Sequence, residues 1–155
     1  MYKLVVFGSA RIDSFLELPV AQVERFCDID TKRCVIELSY ASKIPLDSAQ
    51  LLLGGNGANV AIGTRRLGVD SILIAELGIG ILADYAKKIL ESEVDTRYVT
   101  QTSGVSEGFG AVLVYQGERT ILSYYPPSKP PFPLDLAGAE WAYLTSVGED
   151  FEDYF

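Results

Sequence analysis

The stretch GGNGANVAIGTRRLG, residues 54–68, decides how this chain folds, because it places a cluster of small polar residues directly before a helical pattern. Three glycines and two asparagines stand within its first six residues: Gly54, Gly55, Gly57, Asn56 and Asn59. Glycine costs backbone entropy wherever its freedom is not used. The stretch therefore indicates a sharp turn that a ligand can approach closely, lined by amides that both donate and accept hydrogen bonds.

Strands and helices alternate on either side of this turn. Residues 2–8 and 71–77 are rich in β-branched and aromatic side chains and predict two buried strands. Apolar residues at helical spacing predict one helix after the glycines and a second over residues 82–90. The helical faces are Val60, Ala61, Thr64 and Leu67 in the first helix, and Leu82, Tyr85, Ala86, Ile89 and Leu90 in the second.

Further extended segments surround this α/β unit. FLELPV (15–20) and CVIELSYA (34–41) predict strands separated by a turn at DIDTK, and residues 108–115 and 119–125 predict a hairpin across Gln116-Gly117-Glu118. PPSKPPFP (126–133) predicts a loop, because proline lacks an amide donor and fixes φ. The remaining segments predict a short helix at LDLAGAE (134–140), a buried strand at WAYLTSV (141–147) and the start of a helix at GEDFEDYF (148–155). The expected class is α/β with a mostly parallel sheet.

Composition excludes several classes of function. The 155 residues carry a formal net charge of −8, which argues against binding the phosphate backbone of a nucleic acid. Histidine is absent, so no imidazole base or histidine metal ligand exists in this chain. No apolar run approaches the length of a membrane span, and no secretory signal precedes the first strand. We expect a cytoplasmic protein that does not bind membranes.

Two cysteines, Cys27 and Cys34, are the only thiols in the sequence. Two ligands cannot close a zinc site. In a cytoplasmic protein we expect reduced thiols near a hairpin turn rather than a disulfide.

The spacing of the glycines resembles the first signature of the ribokinase-like sugar and nucleoside kinases, the PfkB family. Gly54-Gly55, Gly57, Asn59 and Ala61 fit it, and Gly68 and Gly78 follow after six and nine further residues. Supporting matches are GSARID (8–13), GERTILSYY (117–125) and WAYLTSVGEDF (141–151). The resemblance implies a ribokinase-like fold with a small antiparallel β lid, whose strands would lie near residues 14–42 and 108–125. Residues 1–155 would form the N-terminal, substrate-binding half.

Substrate contacts follow from the same resemblance. Asp13 matches the aspartate that family members use to bind sugar hydroxyls, and Gly54, Gly55 and Asn59 match the backbone and amide that contact substrate. Asn56 stands where ribokinases carry lysine, and Arg11 where many carry asparagine, so the ligand could be any of several sugars or nucleosides. Glu118 in the lid hairpin is a weaker candidate contact.

The resemblance also implies ATP-dependent phosphoryl transfer to a sugar hydroxyl, which needs a base, a metal ion and a phosphate cradle. The family supplies the base from a GAGD stretch and uses an NxxE motif near the metal; neither occurs in these 155 residues. We therefore expect ATP and Mg in the complete enzyme, no cofactor on this chain alone and no catalytic residue within it.

Two alternatives remain open. Gly78-Ile79-Gly80-Ile81-Leu82-Ala83 follows a strand and opens a helix, as a dinucleotide-binding GxGxxA turn does, although only Asp95 could serve as its acid. The chain could also be a non-catalytic fragment that self-associates. A homodimer would then form through the lid strands or through an exposed edge of the sheet.

Overall fold

The computed structural model describes residues 2–28, 30–126, 138–146 and 152. The strands are β1 (Leu4–Phe7), β2 (Arg11–Glu17), β3 (Glu24–Asp28), β4 (Arg33–Glu37), β5 (Ser48–Gly54), β6 (Ser71–Leu77), β7 (Asp95–Gln101), β8 (Phe109–Tyr115), β9 (Glu118–Tyr124) and β10 (Trp141–Leu144). The helices are α1 (Asn56–Arg66) and α2 (Ile81–Glu93), and a 3-10 turn spans Val20–Gln22. Within these ranges no helix is long and apolar enough to cross a membrane.

A parallel sheet of four strands, in the order β10-β1-β6-β7, forms the centre of the fold and confirms the predicted α/β class. One face packs against both helices, since alternate strand residues such as Val6 and Leu73 meet small helical residues such as Ala58 and Ala61. The opposite face carries a second buried cluster, Val5, Phe7, Ile72 and Ile74. Burial on both faces explains why β1 and β6 are continuous apolar runs in the sequence.

A second sheet lies beside the first, in the order β5-β2-β8-β9. Strand β2 pairs antiparallel with β5 and parallel with β8, so this sheet is mixed rather than purely antiparallel. Strands β8 and β9 form the predicted hairpin, which turns through Gln116 and Gly117. Both turn residues have positive φ, as a two-residue hairpin loop of this hand requires.

The third sheet is the hairpin β3-β4, and it corrects the expectation for the cysteines. Cys27 lies directly opposite Cys34, and a disulfide joins them with their Cα atoms 4.1 Å apart. The sequence predicted the strand before the DIDTK turn at FLELPV (15–20), whereas the strand that pairs with β4 is β3 (Glu24–Asp28), so this register was not foreseen. Both cysteines are exposed.

The remaining differences from the sequence predictions are local. Leu67, placed on the buried face of α1, is 84% exposed because the helix ends at Arg66. Strands β5 and β7 were not predicted. Strand β10, predicted as buried, is mostly exposed, because in the described part of the chain it pairs with β1 alone. Most of the segments 126–133 and 134–140, and nearly all of 148–155, lie outside the described residues, as do their predicted loop and helices.

Candidate functional site

The segment between β1 and β2 leads from the central sheet to the second sheet, and glycines pack closely around it. A side-chain Cβ on Gly57, in the first turn of α1, would lie 2.6 Å from the carbonyl carbon of Gly8, which follows β1. Gly55 has φ +96°, and a Cβ there would lie 2.5 Å from the backbone oxygen of Ser9. That oxygen accepts a hydrogen bond from the Ala58 amide at 3.1 Å. The glycines therefore hold the start of α1 against the end of β1.

Asp13 lies on β2 immediately beside this crossing. A Cβ on Gly54 would overlap its Oδ2, and a Cβ on Gly110 would overlap its Oδ1. These two glycines belong to β5 and β8, the strands on either side of β2. The carboxylate thus occupies the lateral space that two missing side chains leave, and only 14% of its side chain is exposed. Gly110 belongs to no motif, and the sequence did not single it out.

Arg11 holds one side of that carboxylate. Its Nε donates to Oδ1 of Asp13 at 2.7 Å, and its Nη2 donates to Oγ of Ser123 at 3.4 Å. The guanidinium also lies 4.2 Å from the centre of the Tyr125 ring. Burial lowers the pKa of Arg11, but its interactions with Asp13 and Tyr125 outweigh that effect and leave the pKa above its ordinary value. Arg11 is 7% exposed and stays charged.

The two asparagines stand on the other side of the crossing, at the start of α1. Asn56 is exposed and donates from Nδ2 to Oγ of Ser146 at 2.9 Å, just beyond β10. Asn59 is exposed, and its backbone amide donates to the Gly55 carbonyl oxygen. The structure therefore brings Arg11, Asp13 and Gly54 into contact, and Gly55, Asn56 and Asn59 follow Gly54 along the chain into the start of α1.

Glu118 does not join them. It pairs with Tyr115 at the turn of the β8-β9 hairpin, whereas Asp13 is level with Gly110 and, across it, Ser123. Five residues of extended strand separate Glu118 from Ser123, roughly 17 Å.

The GxGxxA turn is filled by another part of the chain. Oε1 of Glu107 accepts a hydrogen bond from the Ala83 amide at 2.7 Å, at the N-terminus of α2. A Cβ on Gly80 would lie 2.5 Å from Oε2 of the same carboxylate, and a Cβ on Gly78 would lie 2.6 Å from the Ser106 backbone. A carboxylate thus holds the place that a pyrophosphate would need, which disfavours dinucleotide binding. Glu107 also lies outside any sequence motif.

The chain is similar to several known proteins. The family model described as "pfkB family carbohydrate kinase" matches residues 23–149. The ribokinase of Staphylococcus aureus (strain COL) is 27% identical over 147 residues, which cover 93% of this chain and 43% of that protein.

Solved structures agree in fold. The Arabidopsis thaliana ribokinase complexed with ribose and ATP has a TM-score of 0.57 and 24% identity, over 81% of this chain and 37% of that one. The nucleoside kinase of Methanocaldococcus jannaschii has a TM-score of 0.68 and 17% identity, over 97% of this chain and 46% of that one. The chain thus spans less than half the length of the relatives it matches. Because the family model covers most of its residues, this chain belongs to the pfkB family of carbohydrate kinases.

Proposed function

We propose that these residues form the substrate-binding part of an ATP-dependent sugar or nucleoside kinase. The observation that supports it best is the position of Asp13, whose carboxylate lies between two glycines at the junction of two sheets. A ligand binds in an open α/β sheet beyond the carboxyl ends of the strands, and β1 ends at this junction. A largely buried acid beside such an opening suits a ligand that supplies hydrogen-bond donors.

Sugar hydroxyls are donors and acceptors at once, and the junction offers partners for both roles. Asp13 would accept a hydrogen bond from a sugar hydroxyl at its carboxylate. The exposed amides of Asn56 and Asn59, at the start of α1, donate to and accept from other hydroxyls. Glycine at positions 54 and 55 lets the ring approach the backbone. Glu118 has no part in this proposal, because it lies too far along β9.

Phosphoryl transfer would draw on groups outside this site. ATP would supply the γ-phosphoryl group and Mg²⁺ would offset its charge in the complete enzyme. Across the described residues no group of three or more Asp, Glu or Cys side chains could hold a metal ion. We propose that the base, the metal site and the phosphate cradle belong to the remainder of a full-length kinase. This chain would then bind its sugar without phosphorylating it.

Isothermal titration calorimetry tests the site with D-ribose, D-fructose and adenosine. We expect at least one to bind, and Asp13→Asn to weaken that binding about tenfold, the usual effect of losing a charged acceptor. Asn59→Ala should weaken it by a smaller factor. Asp70→Asn is the matched control, since Asp70 is an exposed acid whose partner Arg65 lies at the surface. Equal affinity of the Asp13 and Asp70 variants would refute the assignment.

Activity and cofactor binding need separate measurements. With ATP, Mg²⁺ and the sugar that binds, we expect no phosphorylation above background. Turnover at an ordinary kinase rate of about 1–100 s⁻¹ would place the active site within this chain. A fluorescence titration with NADH tests the dinucleotide alternative, and saturable NADH binding would favour it.

A further inference from the structure

The two oxygens of the Asp13 carboxylate have different surroundings. Oδ1 faces Gly110 of β8 and receives the hydrogen bond from Nε of Arg11. Oδ2 faces Gly54, the first residue of the glycine-rich turn. Among the described side chains, none is found donating to Oδ2. The carboxylate therefore has one oxygen committed to the protein and one directed toward the turn.

Arg11 is well placed to keep this arrangement fixed. Its guanidinium is held on three sides, by Asp13, by Ser123 and by the face of the Tyr125 ring. A buried guanidinium that leaves Asp13 keeps its charge without that partner, which is unfavourable away from water. Rotation of the carboxylate toward a ligand would break the same bond.

We infer that Arg11 is a positioning residue that determines specificity, because it leaves Asp13 a single oxygen for recognising a ligand hydroxyl. The inference rests on the proposed sugar site. A carboxylate with both oxygens free accepts from two neighbouring hydroxyls of a sugar at once, whereas one whose Oδ1 is bonded to Arg11 and packed against Gly110 presents Oδ2 alone to the ligand. Ligands that lack the second hydroxyl should therefore lose no contact with Asp13.

A matched pair of variants isolates the Arg11 hydrogen bond. The side-chain amide nitrogen of glutamine is as many bonds from Cα as Nε of arginine, so Arg11→Gln keeps a donor for Oδ1. Arg11→Met has similar length and no donor, so it frees Oδ1. Both variants lose the contacts to Ser123 and Tyr125. A difference in ligand binding between them therefore reports on the hydrogen bond to Oδ1.

Double-mutant cycles between Asp13→Asn and each single-deoxy analogue of D-ribose measure which hydroxyls contact Asp13. The cycles are run by calorimetry in the wild type, in Arg11→Gln and in Arg11→Met, with circular dichroism to show that each variant is folded. In the wild type and Arg11→Gln, we expect the roughly tenfold effect of Asp13→Asn to vanish for one analogue only. In Arg11→Met it should diminish for two.

Each other result overturns the inference. Coupling of Asp13 to two hydroxyls in the wild type would show that Arg11 imposes no limit, and this outcome stands even if Arg11→Met does not fold. Coupling to a single hydroxyl in a folded Arg11→Met would assign the limit to another residue. Coupling to none, with D-ribose still bound, would remove Asp13 from the site. If no sugar binds the wild type, the proposed function itself fails.

Discussion

Gly8 and Gly57 pack backbone against backbone, with no room for a methyl group on Gly57. A Cβ on Gly57 would lie 2.6 Å from the carbonyl carbon and 2.8 Å from the Cα of Gly8. Because both neighbours are main-chain atoms, the strain could be relieved only by moving α1 away from β1. That contact therefore holds the start of α1 against the end of β1.

Gly57→Ala should therefore destabilise the fold, by about 1–3 kcal/mol in urea unfolding. Gly63→Ala is the matched control within the same helix, since a Cβ at Gly63 meets nothing within 4 Å. That change should stabilise the protein by about 0.5–1 kcal/mol, because alanine loses less entropy in a helix. Effects of equal sign would show that the contact between α1 and β1 is not tight.

The disulfide should control how readily the β3-β4 hairpin opens. An isolated two-stranded hairpin is marginal in water, and this one is anchored mainly where Ile36 packs on Leu18 and Tyr115. The disulfide between Cys27 and Cys34 lowers the conformational entropy of the open hairpin. In a chain-entropy model this raises the free energy of opening by about 2–3 kcal/mol.

Limited trypsin digestion measures this opening at Arg25, Lys32 and Arg33, which all lie in the hairpin. We expect cleavage there to accelerate at least several-fold when a phosphine reductant is added. Cys34→Ser should be cleaved at the fast rate with or without reductant. Identical rates for the oxidised and reduced wild type would contradict the prediction.

Stability should depend on pH through Tyr2 and Asp95. The Tyr2 hydroxyl donates to Oδ2 of Asp95 at 2.5 Å. Partial burial raises the pKa of Asp95, but the hydrogen bonds from Tyr2 and Arg97 outweigh it and leave the pKa below its ordinary value. The hydrogen bond to Asp95, followed by burial, raises the pKa of Tyr2.

The signs follow from linkage. The Asp95 contribution is complete above the ordinary carboxyl pKa and is lost as the pH falls through the depressed value. The Tyr2 contribution is complete below about pH 10 and is lost as the pH rises through the raised value. Tyr2→Phe should cost about 0.5–1.5 kcal/mol at pH 7, and this cost should shrink at both extremes. A cost that urea unfolding finds constant from pH 3 to pH 11 would show that the hydrogen bond contributes nothing.

Self-association should occur at strand β10. Trp141 is 71% exposed and Tyr143 is 47% exposed, and in the described part of the sheet β10 pairs with β1 alone. Exposed sheet edges recruit other chains. The net charge of −8 opposes association at low ionic strength, so sedimentation should show it increasing with salt. Tyr143→Lys should reduce it, and a wild type that stays monomeric at every salt concentration would exclude this surface.

The sequence predicted those elements whose burial leaves a simple pattern of apolar residues. Strand β6 was predicted with its observed bounds because it is apolar on both faces, and α1 was predicted because glycines precede a helical period. Strand β5 escaped notice because its leucines, Leu51 and Leu52, are both about half exposed and show no alternation. Strand β7 is polar and pairs with β6 alone in the part of the sheet that the structure describes, so it lacks the apolar run of β6.

The sequence proposed the candidate residues that belong to a motif, and it did not point to residues that are placed by tertiary contact alone. Asp13 and the residues of the glycine-rich turn belong to a pattern of fixed spacing. Gly110 and Glu107 act through neighbours that are distant in sequence, so no local pattern marks them. The disulfide was missed for the same reason. Reduced thiols were inferred from the expected cytoplasmic location, which says nothing about the register that places Cys27 opposite Cys34. Glu118 was proposed as a weaker contact from the hairpin, and the register sets it five positions along β9 from Ser123.

Gly80 and Glu107 are 27 positions apart in the chain, yet the Glu107 carboxylate fills the space beside α2 that a side chain at position 80 would occupy. A side chain added at position 80 would enter the space of the carboxylate, so the two positions should change together during divergence. A relative with a larger residue at the first position should carry a shorter one at the second, with another acceptor for the α2 amides. Inherited substitutions here should come in pairs, although neither residue touches the proposed ligand.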